Sequence, residues 1–145
     1  MKKFMFALSI VFVCAFTLCA APENWFTDYD AAVKLAQKEK KSLLVLFTGS
    51  DWCPGCIALN KYALSKPEFM EFAKKHLVLV YMDSPRRAPQ SAKERAEVAK
   101  LNRKLDPGPY IPATVIVSSD GRILDRIVGA FPADEYIKKI RSVIK

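Results

Sequence analysis

The chain reads as an α/β protein of three layers: a mixed central sheet of about four strands with helices on both faces. Three observations carry this. Two short apolar runs, Ser42–Thr48 and Leu77–Met82, are separated by a helical pattern, the order that makes parallel strands joined by a crossover. Two further runs, Ala113–Val117 and Ile123–Val128, flank the tight-turn signal Ser119-Asp120-Gly121 and so return as a hairpin. Helical stretches precede the first run and follow the last, which places helices on either side of a mixed sheet.

The elements follow in order. Asp28–Lys41 is the first helix, with Thr27 as its cap and Asp28 and Asp30 in a first turn that favours negative charge. Ala32, Val33 and Ala36 form its apolar stripe, and Lys38, Lys40 and Lys41 close it. Ser42–Thr48 (SLLVLFT) is apolar throughout its middle, as expected of a strand buried on both faces. A loop, Gly49-Ser50-Asp51-Trp52, leads to Cys53. From Pro54 the pattern turns helical, with Ile57, Leu59, Tyr62 and Leu64 expected on a buried side. Pro67 starts a second helical piece through Phe69, Phe72 and Ala73. Ser91–Leu105 is a basic helix ended by Asp106-Pro107-Gly108-Pro109. Ala133–Ile144 is the closing helix, with Tyr136, Ile137, Ile140 and Val143 at helical spacing.

The first twenty residues have the order of a secretory signal peptide. Met1-Lys2-Lys3 is positive, Phe4–Leu18 is almost wholly apolar, and Cys19, Ala20 and Ala21 are small. Cleavage is expected after Ala20, which divides the chain into a signal peptide over 1–20 and one domain over 21–145. An uncleaved membrane anchor is the rival, although the apolar run falls short of the roughly 20 residues a spanning helix needs. Either way the domain is expected outside the cytoplasm, where disulfides form and persist. Net charge is +8, and +6 without Lys2 and Lys3. The lysines are spread along helices, and the dense run Arg87–Arg103 contains Glu94 and Glu97, so the charge marks a solvated surface rather than a nucleic-acid site.

Of the four cysteines, Cys14 and Cys19 lie in the leader. The mature chain keeps Cys53 and Cys56, in the order Trp52-Cys53-Pro54-Gly55-Cys56. A single close pair outside the cytoplasm is suited to reversible disulfide exchange. Cys53 falls between a strand end and a helix start, where unpaired N–H groups and partial positive charge stabilise a thiolate. Pro54 suits the first helical turn because its missing N–H is not needed there. Gly55 leaves room for an approaching chain, and Cys56, one turn on, faces inward.

Three features together resemble the thioredoxin family. They are Trp52-Cys53-Pro54-Gly55-Cys56 after a buried strand, Ile111-Pro112 before a third strand, and Gly129 before the last helix. The match spans roughly 42–145, and is most similar to exported thioredoxin-like proteins with a helical insertion, small periplasmic disulfide reductases among them. The resemblance implies a thioredoxin-like fold and a dithiol–disulfide oxidoreductase with no cofactor beyond the redox-active disulfide Cys53–Cys56. It implies that Pro112 is cis and packs on the thiol pair, while Ile111 offers its backbone to an extended peptide. Trp52 is read either as shaping the surface around the pair or as a half-buried loop aromatic. Expected partners are substrate proteins with disulfides and a membrane electron donor or acceptor; the domain is expected to be monomeric, with no nucleic acid.

The chain also departs from that family. A buried carboxylate is usual six residues before the first cysteine, paired with a lysine on the next strand; the corresponding positions here read as Phe47 and Leu79. The dipeptide between the cysteines is Pro-Gly rather than Gly-Pro. The alternatives are a copper or zinc module on the same cysteines, although zinc wants about four ligands, or an oxidant or isomerase of the same fold. Ile111 before Pro112 favours reduction. Asp51 is read as a tuner of Cys53 or a turn residue, His76 as a surface residue, and Tyr110 as core or rim packing before a lining of the peptide groove.

Overall fold

In the computed structural model, residues 21–144 are described. The leader expected over 1–20, with Cys14 and Cys19, lies outside them. Helix α1 spans Tyr29–Glu39, strand β1 Ser42–Thr48, helix α2 Pro54–Leu59, helix α3 Pro67–His76 and strand β2 Leu77–Asp83. Helix α4 spans Ala92–Leu105, strands β3 and β4 span Ala113–Val117 and Ile123–Val128, and helix α5 spans Ala133–Arg141.

The sheet order is β2-β1-β3-β4. Strand β1 runs parallel to β2 and antiparallel to β3, and β4 returns antiparallel beside β3. The expected mixed four-stranded sheet is therefore present. Phe26 adds a one-residue parallel bridge outside β2, with its N–H on the Leu79 carbonyl and its carbonyl receiving the Tyr81 N–H, each at 2.8 Å. That bridge occupies backbone groups on an edge that would otherwise be open to pairing.

Alternation along β1 explains the layers. Leu44 and Leu46 point into a core with Leu59, Phe69, Phe72, Tyr136 and Ile140, from α2, α3 and α5. Leu43, Val45 and Phe47 point into the opposite core with Tyr29, Ala32, Ala36, Leu101 and Leu105, from α1 and α4. A strand covered on both faces cannot alternate polar with apolar, which is why SLLVLFT reads as one apolar run.

Several local expectations are corrected. Asp28, not Thr27, caps α1, its carboxylate accepting the Ala31 N–H at 3.0 Å. Ser91 caps α4 rather than belonging to it, in a reciprocal capping box with Glu94. The closing helix stops at Arg141, short of Ile144. Ile57 and Tyr62 are 49% and 53% exposed, not buried. Helix α2 passes into a π-helical turn over Asn60–Leu64, and the wider turn carries the inward face from Leu59 to Ala63 and Leu64. Tyr110 is 71% exposed, not packed. Phe47 lies beside Met82 in the parallel register, whereas Leu79 lies beside Leu44. Both neighbours are apolar, so no carboxylate–lysine pair spans β1 and β2 there.

Candidate active site

The site forms where β1 ends. The Cys53 N–H bonds back to the Gly49 carbonyl at 2.9 Å, closing the loop and turning the chain into α2. Cys53 is the N-cap of α2 in extended backbone, and Pro54 holds the first helical position. Cys53 and Cys56 are joined by a disulfide, with Cα atoms 5.2 Å apart. The Cys56 N–H points at Cys53 Sγ across 3.2 Å. A sulfur in the cap position thus receives one of the orphan donors of the helix start.

The two sulfurs have different neighbours. Cys53 Sγ lies 3.8 Å from the Ile111 carbonyl oxygen. Cys56 Sγ faces the Gly49 N–H at 3.4 Å. Exposure does not separate them, since Cys53 is 5% and Cys56 4% exposed. The Ile111–Pro112 peptide bond is cis. Pro112 is buried, and its ring meets Gly55: a Cβ at that glycine would stand 3.1 Å from Pro112 Cδ. The space that Gly55 leaves is therefore filled by Pro112. The Pro112 carbonyl accepts the Gly129 N–H at 2.9 Å, and Gly129 has φ of +107°, a backbone that favours glycine.

A second layer surrounds the pair. Asp83, at the end of β2, accepts the Ser50 backbone N–H at 2.9 Å and the Ser50 hydroxyl. Asp51 accepts three backbone N–H groups, from Arg86 at 2.9 Å, Arg87 at 2.7 Å and Ala88 at 2.8 Å. The Arg86 N–H, more than any other contact, holds the Asp51 carboxyl below the usual carboxylate range; the Ala88 and Arg87 donors add to it and partial desolvation opposes it. Trp52 donates its indole N–H to the Ser84 carbonyl at 2.8 Å, and the Arg86 guanidinium stacks 3.6 Å from the indole centroid. The indole also packs on Gly49, where an added Cβ would come within 2.6 Å of it.

The site residues named from the sequence, Trp52, Cys53, Pro54, Gly55, Cys56, Ile111 and Pro112, thus come together at one end of the sheet. Asp51 is a backbone anchor for the 86–88 segment, a role outside the sequence expectations. The roles of Ser50, Asp83 and Arg86 were missed as well. Asp83 and Arg86 reach the cysteine loop across more than thirty residues, and only the basic run Arg86-Arg87 between prolines hinted at a built segment. His76 is exposed at the end of α3 and stacks on Phe72, away from the pair. Among the described residues no group of three or more His, Cys, Asp and Glu could hold a metal ion, and tetrahedral zinc wants about four ligands.

A mixed sheet between two helical layers, with a cysteine pair capping the helix after β1, defines a thioredoxin-like disulfide oxidoreductase. The family model for a thioredoxin-like domain matches residues 29–144, and the chain belongs to that family. It is 30% identical over 130 residues to a disulfide bond reductase, DsbH, of Chlamydia pneumoniae, covering 88% of this chain and 76% of that protein. Its fold is similar to a solved DsbH oxidoreductase, with a TM-score of 0.74 at 25% identity over 99% of this chain and 94% of the other. A thioredoxin from Thermus thermophilus matches with a TM-score of 0.62 at 26% identity, over 83% of this chain and 85% of the other. Members of this family carry electrons on a cysteine pair without a cofactor, and the pair here is Cys53–Cys56.

Proposed function

We propose that the domain over 21–145 is exported by the signal peptide over 1–20 and reduces protein disulfides outside the cytoplasm. Cys53 is the attacking thiol. Its Sγ caps α2 and receives the Cys56 N–H, an environment that favours the thiolate. This single observation carries the choice of Cys53 as the attacking thiol, and the likeness to a disulfide bond reductase supports reduction as the direction.

The thiolate attacks one sulfur of a substrate disulfide. A Cys53–substrate S–S bond forms, the substrate S–S bond breaks, and the departing thiolate takes a proton. Cys56, as thiolate, then attacks Cys53 Sγ and releases the second substrate thiolate. The protein dithiol loses two electrons and two protons, and the substrate gains them. A membrane-borne dithiol donor restores the reduced pair. The Gly49 N–H supports charge on Cys56 Sγ, a role that Phe47 and Met82, being apolar, cannot fill.

Cis-Pro112 and Ile111 present the docking edge. Pro112 offers no N–H, and the Ile111 backbone is placed to pair with an extended segment beside Cys53. Trp52 forms the neighbouring wall. A Cys56→Ser variant should trap the mixed disulfide at Cys53, and the wild-type protein should reduce insulin. Stoichiometric copper or zinc in the purified protein, with no insulin reduction, would overturn the assignment in favour of a metal module. A potential near the thioredoxin value of about −270 mV fits reduction, and one near about −120 mV would make the protein an oxidant.

A further inference from the structure

We propose that the rim beside the redox pair receives an acidic stretch of the substrate polypeptide, with the Arg86 guanidinium as its principal contact. This rests on the disulfide exchange assigned above and names the substrates it favours.

The rim is a built element. The segment Ser84–Gln90 (SPRRAPQ) is pinned to the cysteine loop by the three N–H bonds to Asp51 and by the Trp52 indole bond to Ser84. Arg86 and Arg87 are both exposed. The Arg86 side chain lies on the Trp52 indole, which orients its planar fork without using its N–H donors. Among the described residues, no carboxylate pairs with either guanidinium. The two acids of this region are already engaged: Asp51 on backbone donors, Asp83 on Ser50. Arg86 and Arg87 are thus the exposed charges of this rim without an ionic partner, beside two partly exposed carboxylates held by N–H and O–H donors.

Position gives the charge its meaning. Trp52 immediately precedes Cys53, so the Arg86 guanidinium, stacked on that indole, sits against the residue next to the attacking cysteine. An extended peptide advances about 3.3 Å per residue. A Glu or Asp one to three positions from the substrate cysteine would meet the Arg86 fork while that cysteine sits at Cys53. Arginine matches a carboxylate with two parallel N–H bonds. The side chain can be exchanged without losing the anchor, because Asp51 holds the Arg86 backbone.

The experiment uses the full reduced protein and three disulfide-bearing peptides of equal length, with Glu, Gln or Lys flanking the cysteine. Second-order reduction rates should fall in the order Glu, Gln, Lys, with Glu about fivefold ahead of Gln at low salt and the gap closing as sodium chloride rises. Arg86→Gln should compress the order, and Arg86→Glu should invert it. Lys38→Glu lies in the last turn of α1, towards the end of β1 away from Cys53, and should leave the order as in wild type. Equal rates for the three peptides would sink the proposal. So would an Arg86→Glu protein slowed equally toward all three, since Arg86 would then act through Trp52 and not through peptide charge. If neither these peptides nor a small neutral disulfide is reduced, the exchange assignment itself fails; reduction without charge preference removes only the acidic-substrate proposal.

Discussion

The backbone N–H of Gly49 points at Sγ of Cys56 across 3.4 Å, and both residues are buried. The aim of that N–H depends on the next residue, because Ser50 is held at its N–H and its hydroxyl by Asp83. Loosening Asp83 should therefore slow the second half of the exchange more than the first. In Asp83→Ala, the mixed disulfide should persist up to about tenfold longer, the equivalent of about 1.4 kcal/mol of lost support for the Cys56 thiolate. Acid quenching and thiol trapping measure its lifetime. A pH profile should show the resolving step shifted to higher pH. Unchanged resolution would remove Asp83 from the mechanism.

Gly49 is required by Trp52. In Gly49→Ala, the new methyl would collide with the indole, so Trp52 must leave Ser84 and Arg86. The variant should lose about 1–3 kcal/mol in urea denaturation, the usual cost of overpacking. Removing the indole should remove the collision: Trp52→Ala with Gly49→Ala should cost less than the sum of the singles. Additive losses would show that the methyl disturbs something else.

Asp51 makes the 86–88 anchor sensitive to acid, and the sign can be worked out. Its folded carboxyl titrates below the ordinary value, chiefly through the Arg86 N–H. The anchor is therefore fully present above the unfolded pKa of about 3.9 and is lost as pH falls through the lower folded value. In a Trp25→Phe background, Trp52 fluorescence should report that loss with a midpoint below about 3.9. Asp51→Asn should abolish the transition. Asp83, also near Trp52, is the control: Asp83→Asn should leave the midpoint in place.

Tyr136 and Thr114 form a hydroxyl pair, 2.5 Å apart, within the core between α5 and β3. Burial pushes the Tyr136 phenol well above its ordinary pKa, so the pair stays neutral throughout the working range. Tyr136→Phe leaves the Thr114 hydroxyl without its partner and should cost about 1–3 kcal/mol. Adding Thr114→Val should recover much of that loss, which chemical denaturation of the three variants can measure.

The layers were legible for a simple physical reason. Ser42–Thr48 and Leu77–Asp83 are covered on both faces, so burial wrote itself into consecutive apolar residues. The hairpin was legible in Ser119-Asp120-Gly121, where Gly121 adopts φ of +91°. Local periodicity was a poorer guide where geometry changed within an element. Tyr62 followed a helical spacing that the π-helical turn does not keep, and Ile57 lies off the inward face of α2, which Cys56 and Leu59 form. Tyr110 is expected in core or rim packing, with the peptide groove as the other reading, and the loop before Pro112 carries it out of the core.

By itself the order of residues determined the class of fold and the chemistry at residues 53 and 56, because both depend on contacts only a few positions apart: strand burial, a helix cap, two sulfurs one turn from each other. Of the surroundings of those sulfurs, the approach of Ile111 and Pro112 entered through the family resemblance, and the rest was decided by the tertiary structure alone. Asp83 on Ser50 and Arg86 on Trp52 meet the cysteine loop from a segment more than thirty residues away. No local pattern encodes such meetings, since they exist only after the sheet has set the register of its strands.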